Sequence, residues 1–454
     1  MTTINERQSH RWKAPLLFLG GVLLAGAFGV YHVYDMKASN VYNKVTSTSN
    51  RHYDAQVVNQ VGKGGYALYT AGPYYTSKST QTRDANGSLY KNDYVRVMQT
   101  KTTKTGTYVK LRYYSKTLGW MNVHGIKAVS FSQVAKGTMT QYGFVGSVAL
   151  ISAGEKTPTV VNTGYANKAK GLANSSTGNV LYPLASLQKA MTGAIIQQLI
   201  SAGKLSANTP LSKYYPQVKN SNHITIKQML SMTSGISDVE QHPKTDPTES
   251  QAIALAIKTL KVSNSTSFNY SDDNLVLLAG IISKVTGQSY SSNVTSRILK
   301  PTGMTHTFIV NQTVPTLTGT VATSYTLSGK TQYTKPQMIN YPTISAIPGA
   351  GNILTTPTDY MAFILGLQNG KVLSQTQYHQ LLSYGSTYSG GFYVTRSGVK
   401  FNNGSFDGFG YHTGYYATTG NYHSAVVFSN QTPVKDGVAQ KAFADQLYQV
   451  ATYY

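Results

Sequence analysis

The chain has 454 residues, of which 41% are hydrophobic, so it is longer than one ordinary domain and can bury a sizeable core. It contains 39 Lys and Arg against 16 Asp and Glu, a formal charge of +23, which favours a location near a polyanion. The absence of cysteine excludes disulfides, thiolate metal sites and cysteine nucleophiles.

The first 40 residues predict a membrane anchor. Residues 14–34 carry no charged side chain and are mostly apolar, and a helix of about 20 residues can span a bilayer. Basic residues precede this stretch, which predicts a cytoplasmic N-terminus and an exported remainder. Ala25 and Ala27 form an A-x-A pattern, so a cleaved signal peptide is the alternative. We expect a single-pass transmembrane helix, with the rest of the chain extracellular.

Residues 41–130 predict a small all-β module. Alternating runs at 94–98 and 108–111, with turn signals such as Asn86 and Gly87, indicate antiparallel strands of a small barrel. The segment holds 13 Lys and Arg against 3 Asp and Glu, so it is the most basic part of the chain per residue. Either these cations merely solvate an exposed barrel, or they attach it to an anionic polymer. Nucleic acid is disfavoured, because the predicted export places the module outside the cytoplasm.

The end of this module, L-G-W-M-N-V over residues 118–123 followed by Gly125 and Ile126, resembles the closing strand of bacterial SH3-like wall-binding modules of the GW type. The resemblance implies a partner in the cell wall, either teichoic or lipoteichoic acid or peptidoglycan.

Residues 131–454 predict a second, larger domain. Apolar strands such as 148–151 are followed by long amphipathic helices and then by a strand-rich C-terminus. This order predicts an α/β or α+β sandwich.

The first candidate catalytic residues are Ser186 and Lys189. A Ser and a Lys three residues apart on a helix share one face, so the amine can reach the hydroxyl and assist removal of its proton. The same S-x-x-K spacing also occurs at Ser88, Ser201 and Ser397. Only Ser186 opens a predicted helix after an apolar approach, so it is the predicted nucleophile.

Two further elements follow, Tyr270-Ser271-Asp272 before an apolar helix and His412-Thr413-Gly414 near the C-terminus. In this order the three elements resemble the S-x-x-K, Y-x-N and K/H-T-G motifs of class C β-lactamases, penicillin-binding proteins, D-aminopeptidases and related esterases. The resemblance implies a serine hydrolase with a β-lactamase/transpeptidase-like sandwich and a helical subdomain, without cofactor or metal.

The resemblance also implies roles. Ser186 attacks the carbonyl, Lys189 assists proton removal, and Tyr270 passes the proton to the leaving group and later activates water. His412 lines the opposite wall, and the backbone N–H groups of Ser186 and Tyr415 form the oxyanion hole.

Asp272, Thr413 and Gly414 are the implied substrate-binding residues. Three of the candidates also have ordinary structural explanations: Tyr270 as a core residue, His412 as a strand histidine with its hydrogen bonds satisfied, and Asp272 as a helix N-cap.

Two departures from the family pattern concern charge. Asp272 stands where Asn is expected, and His412 stands where the lactamases have Lys. The pocket therefore has less positive charge, which favours a substrate with a free ammonium over one with a carboxylate. An Asp near Lys189 also suits a mechanism in which Lys189 lowers the pKa of Tyr270 and the phenolate acts as base.

We therefore expect an acyl-enzyme hydrolase acting on D-alanyl groups of the cell envelope, with D-alanyl esters of teichoic or lipoteichoic acid favoured. A D-alanyl-D-alanine carboxypeptidase or β-lactamase-like hydrolase is the alternative. A non-catalytic wall-binding protein is the alternative from another class.

Overall fold

The computed structural model describes residues 44–58, 67–70, 72, 85–104, 106–311, 317–328, 331–406, 410–431 and 440–454. They form a small all-β module followed by a larger mixed part.

The small module is an antiparallel sheet in the order β7-β6-β5-β2-β8, with β1 also paired to β5 and with β3 paired to β4. Alternate residues of β5 and β6 point inward, so that Val95, Val97, Val109 and Leu111 are fully buried. Trp120 is also buried, and the ammonium of Lys101 lies 4.9 Å from the centre of its ring. The strands are β1 (Val45–Ser49), β2 (Tyr53–Val57), β3 (Ala67–Leu68), β4 (Ala85–Asn86), β5 (Tyr94–Thr103), β6 (Gly106–Tyr113), β7 (Lys116–Asn122) and β8 (Ile126–Val129).

The larger part alternates strands with helices. Its strands are β9 (Val145–Ile151), β10 (Thr159–Thr163), β11 (Tyr165–Asn167), β12 (Leu172–Ala173), β13 (Val180–Pro183), β14 (Ile236–Ser237), β15 (Lys261–Val262), β16 (Phe308–Ile309), β17 (Thr320–Val321), β18 (Ser324–Ser328), β19 (Thr331–Gln337), β20 (Ile353–Thr355), β21 (Tyr388–Ser389), β22 (Phe392–Val394), β23 (Val399–Phe406), β24 (Tyr411–Thr418) and β25 (Ser424–Gln431).

Its helices are α1 (Phe131–Gln141), α2 (Lys189–Ser201), α3 (Ile226–Leu230), α4 (Glu249–Thr259), α5 (Asp273–Thr286), α6 (Tyr290–Val294), α7 (Lys300–Thr302), α8 (Tyr341–Ser345), α9 (Pro357–Gly366), α10 (Gln375–Leu381) and α11 (Gln440–Tyr453). Local sequence explains several of their ends. Ser130 and Gln133 form a capping box that starts α1, and Gly287 ends α5 with a φ of 69°.

The central sheet has the order β10-β9-β25-β24-β23-β22-β21 and is covered on both faces. Every residue of β25 is buried, as expected for a strand between two layers. Helices α1 and α11 pack on one face around an aromatic core that includes Phe144 and Phe443. The larger core, which includes residues of α2, α5 and α9, lies on the other face. The C-terminal part of β23 contacts the turn before α2, where Ser186 lies.

The small module packs against the layer that contains α11. The ring of Tyr114 makes edge contacts with the rings of Tyr453 and Tyr454. The Tyr454 hydroxyl donates to the carbonyl of Tyr94 at 2.6 Å, and the Arg112 guanidinium donates to the carbonyl of Tyr453. The module is thus fixed to the back of the sheet, on the face opposite the larger core.

The predicted fold class included a transmembrane helix, and this prediction is wrong for the residues that the structure describes. No helix in the described ranges is both long and apolar enough to cross a bilayer. The segment for which the helix was predicted, residues 14–34, lies outside the described residues.

Candidate functional site

The predicted nucleophile lies in a tight turn at the start of a buried helix. Ser186 belongs to the 3₁₀ turn Ala185–Gln188, which leads directly into α2. Ala185 has a φ of 51°, the left-handed region, which costs a residue with a Cβ about 1–2 kcal/mol. Strain of this size persists only where the surrounding structure enforces it, and such residues cluster at functional sites.

Hydrogen bonds from three strands hold this turn. The N–H of Leu184 donates to the carbonyl of Ile353 in β20 at 2.8 Å. The Thr413 hydroxyl in β24 donates to the carbonyl of Leu184 at 3.0 Å. The side-chain amide of Asn402 in β23 donates to the carbonyls of Ser186 at 3.1 Å and Gly391 at 2.7 Å. These contacts fix the position of Ser186 against the sheet.

The amine of Lys189 contacts three acceptors and is fully buried. Its Nζ lies 2.8 Å from Ser186 Oγ, 3.0 Å from the carbonyl oxygen of Ala350 and 2.9 Å from Asp272 Oδ1. Three acceptors match the three N–H donors of an ammonium group, which leave no lone pair to accept a proton. The geometry thus fits a lysine that donates to Ser186 rather than one that deprotonates it.

Tyr270 completes the catalytic group. The Nζ of Lys189, which contacts Ser186 Oγ, lies 5.1 Å from the centre of the Tyr270 ring. Burial, followed by the negative charge of Asp272, raises the pKa of Tyr270 well above its usual value. This direction is opposite to the expected one, so Tyr270 is a neutral phenol in the resting site.

Aromatic side chains surround Tyr270. The rings of Tyr270 and Tyr393 are parallel, with centroids 6.4 Å apart, while Tyr388 meets both of them edge-on at 5.9 and 5.0 Å. Phe268 contacts Tyr388 and Tyr393 and is 39% exposed, so it lies at the solvent side of this cluster. The cluster restricts the orientation of Tyr270 and excludes water from its buried side.

Three carboxylates lie beside the catalytic group. Asp272 pairs with Lys189, and its backbone N–H donates to Oδ1 of Asp238 at 3.2 Å. Asp273, the first residue of α5, is buried, and its Oδ2 has no hydrogen-bond partner among the described residues. Burial, followed by the charges of Asp238 and Asp272, raises the pKa of Asp273 to about 8. Three carboxyl groups are therefore close together beside the nucleophile, and burial together with their mutual repulsion keeps one of them, Asp273, mostly protonated at neutral pH.

Only Thr413 of the third predicted element faces the turn that carries Ser186. Thr413 contacts the nucleophile turn, as described above, so by strand alternation His412 and Gly414 point to the opposite face. A Cβ at Gly414 would indeed lie 2.6 Å from Cβ of Ala444 in α11. The position expected for His412, on the wall across from Ser186, therefore differs from the position that it has.

Strand β23, and not the segment with His412, forms the wall of the site across from Ser186. A Cβ at Gly404 would lie 2.9 Å from the backbone nitrogen of Ser186, so only a glycine allows this approach. Tyr415, the expected oxyanion donor, lies in a central strand and is paired with Asn402 on one side and Val426 on the other. Its backbone N–H belongs to the sheet ladder and is not directed at a substrate.

Sequence reasoning missed several residues that the fold brings to the site, namely Ala350, Asn402, Gly404, Asp238 and Asp273. Of these residues, Gly404 could have been identified from the sequence, since a glycine within a strand pattern often marks a close approach of two backbones. Among the described residues, no group of three or more His, Asp or Glu side chains is placed to hold a metal ion.

Two family models match the chain. The Beta-lactamase model matches residues 131–449, and the model of the GW (Gly-Tryp) dipeptide domain matches residues 47–127.

Curated relatives align with the larger part. PbpX of Bacillus subtilis (strain 168), named as a penicillin-binding protein, is 31% identical over 295 residues, covering 63% of this chain and 70% of the relative. A teichoic acid D-alanine hydrolase of Staphylococcus aureus (strain MRSA252) is 29% identical over 269 residues, covering 58% of this chain and 66% of the relative. The alignment thus spans slightly less than two thirds of the second relative.

Solved structures show the same fold. FmtA from Staphylococcus aureus superposes with a TM-score of 0.60 at 26% identity, covering 71% of this chain and 90% of that structure. The D-amino acid amidase from Ochrobactrum anthropi SV3 has a TM-score of 0.59 at 19% identity, covering 71% of this chain and 98% of that structure, which is a likeness of fold alone. With the family match over most of its length, the chain belongs to the Beta-lactamase family and is a serine hydrolase.

Proposed function

We propose that this serine hydrolase cleaves D-alanyl esters of teichoic or lipoteichoic acid through an acyl-enzyme on Ser186. The observation that carries the proposal is the 2.9 Å ion pair between Lys189 and Asp272. Because Asp272 neutralises the lysine beside the nucleophile, Lys189 has no spare positive charge for a substrate carboxylate. A D-alanyl ester presents an ammonium and no carboxylate. The staphylococcal relative is a teichoic acid D-alanine hydrolase, which supports the same substrate.

The proposed proton path uses Tyr270 as a relay rather than as a phenolate base. As Ser186 Oγ attacks the ester carbonyl, its proton passes to the Tyr270 oxygen, and Tyr270 gives its own proton to the departing alkoxide of the polymer. A water molecule then follows the reverse relay and hydrolyses the D-alanyl-serine ester. The ammonium of Lys189 stabilises the negative charge that passes between the oxygens, and it needs no change of protonation state.

The proposed oxyanion hole consists of the backbone N–H groups of Ser186 and Ser405. The N–H of Asn403 donates to its neighbour Asn402 Oδ1 at 2.8 Å, and the amide nitrogen of the same side chain reaches the carbonyl of Ser186. Backbone groups two residues apart in a strand point the same way, so the N–H of Ser405 is directed toward the nucleophile turn. Ser405 thus replaces Tyr415 as the proposed second donor.

The test compares three substrates of the purified protein. Release of D-alanine is measured with D-alanylated lipoteichoic acid and with muropeptides ending in D-Ala-D-Ala, and hydrolysis is measured with a penicillin. We expect release from the lipoteichoic acid and far slower reaction with the other two. Ser186→Ala and Tyr270→Phe should each abolish release, with unchanged thermal unfolding as the control for folding. Faster turnover of the muropeptide would instead favour a carboxypeptidase, and full activity of the Ser186 variant would remove Ser186 as nucleophile.

We further propose that the small module holds the enzyme on the anionic polymer, on the wall side of the membrane. Lys91, Lys127 and Lys136 are exposed and line a cleft of about 640 Å³ between this module and α1. Deleting the module would uncover the aromatic face of α11, so charge removal is the cleaner experiment. Changing the three lysines to Gln should weaken binding to lipoteichoic acid and reduce its salt dependence, while turnover of a small soluble ester stays unchanged. Unaltered polymer binding would contradict the proposal.

A further inference from the structure

A hydrolase of aminoacyl esters needs a group that binds the α-ammonium of the acyl donor. The α-nitrogen lies about 2.5 Å from the carbonyl carbon by standard bond lengths, so its partner must border the catalytic group. Carboxylates and aromatic faces are the side chains that bind ammonium groups. Three carboxylates border this site, and the structure separates their possible roles.

Asp272 was the candidate from the sequence, but its carboxylate already forms an ion pair with Lys189. Its Oδ1 lies 2.9 Å from the fully buried Nζ of Lys189, and only 27% of its side chain is exposed. Moving this carboxylate to a substrate would leave the ammonium of Lys189 buried without its counter-ion, which is strongly unfavourable.

Asp273 is unsuited for a different reason. Only 6% of the residue is exposed, and the atom without a partner, Oδ2, is itself inaccessible to solvent. With a pKa of about 8, its carboxyl group is mostly protonated at neutral pH and carries little charge for an ammonium.

Asp238 has the properties that the other two lack. It is exposed and follows directly after β14, and the backbone N–H of Asp272 fixes its Oδ1 at 3.2 Å. Because Asp272 is two residues after Tyr270, this hydrogen bond holds Asp238 beside the segment that carries the catalytic tyrosine. We propose that Asp238 binds the α-ammonium of the acyl donor and so determines the preference for aminoacyl esters; this inference rests on the proposed function.

The aromatic cluster supplies the complementary surface. Phe268 is two residues before Tyr270 in the chain, is partly exposed, and contacts the ring of Tyr393 with centroids 6.2 Å apart. The negative π-faces of these rings attract a cation and do not compete for the carboxylate. A carboxylate with aromatic rings nearby distinguishes an ammonium from the carboxylate of a penicillin by charge alone.

The experiment compares two esters of the same chromogenic alcohol, one D-alanyl and one propionyl, which differ only in the α-amino group. Asp238→Asn should lower kcat/KM for the D-alanyl ester by about 10- to 100-fold, the usual effect of losing one hydrogen bond to a charged group. Turnover of the propionyl ester, which has no α-ammonium, should fall much less than that of the D-alanyl ester, and an unchanged thermal unfolding curve shows that the variant is folded. The loss should appear mainly in KM, and Asp238→Glu should restore part of it.

Glu240→Gln is the matched control, because Glu240 is an exposed acid two residues along the same segment. It should leave both esters unchanged, which would separate a specific contact from general charge attraction. An equal loss for both esters in Asp238→Asn, or no loss for either, would overturn the role of Asp238. Failure of the unmutated protein to cleave either ester would instead refute the proposed function, and the role of Asp238 with it.

Discussion

Asp273→Asn should stabilise the protein at neutral pH. In the native state burial and two neighbouring carboxylates raise the pKa of Asp273 from 3.8 to about 8. Between these two values the unfolded chain has lost a proton that the native state keeps, so native stability falls as the pH rises from about 4 to about 8. One pH unit corresponds to about 1.4 kcal/mol, which gives a cost of up to about 4 kcal/mol at pH 7. Because the amide of Asn would itself be a buried polar group with few partners, we expect a net gain of about half of this value.

The assay is urea unfolding of the parent and the Asn variant from pH 5 to pH 8. The variant should be more stable by about 2 kcal/mol at pH 7, with a smaller difference at pH 5. Asn has nearly the same shape as Asp but does not titrate, so its contribution does not change with pH. Glu155→Gln, at an exposed position, is the control and should follow the parent. A variant that is less stable than the parent at pH 8, or an equal difference at every pH, would refute the reasoning.

Three further predictions concern single side chains. Asp272→Asn should reduce the preference for D-alanyl esters over penicillins by about tenfold, because it frees the charge of Lys189; unchanged relative kcat/KM values would contradict this. Lys400 is fully buried, and burial lowers its pKa well below the usual value, so native stability rises with pH in the range between the native and the unfolded pKa of this lysine. Lys400→Met should therefore raise the Tm at pH 7 and reduce that slope, as measured by calorimetry. Tyr454→Phe removes the hydrogen bond to Tyr94 and should destabilise the contact between the two parts by about 1 kcal/mol, detectable as faster proteolysis between them.

The site was predictable where the relevant residues are neighbours in the chain. Ser186 and Lys189 are separated by one helical turn, so their spacing is compatible with the 2.8 Å contact, while the choice among four such pairs depended on the apolar approach and the predicted helix. Asp272 reaches the same lysine from a distant segment, and its proximity was inferred from a family resemblance rather than from local pattern. The roles assigned to these residues remain predictions until the variants are assayed.

The far wall of the site was not predictable from local pattern. Strands β23 and β24 both contain a glycine among polar residues, and sequence alone does not say which of them adjoins the nucleophile turn. That choice depends on the strand order of the sheet, which sets Gly404 against Ser186 and turns Gly414 toward α11. The pKa of Tyr270 was equally inaccessible, because its direction follows from burial among other aromatic rings.

The placement of Trp120 gives a spectroscopic means of following the two parts separately. The chain has only two tryptophans but 35 tyrosines, and Trp120 is buried within the small module under the ammonium of Lys101. In a variant with Trp12 replaced by Phe, indole emission would report the environment of the small module alone. Near-ultraviolet dichroism of the packed tyrosines would report chiefly the larger part. Coincident transitions of the two signals would mean that the aromatic contact through α11 makes the parts unfold as one cooperative unit.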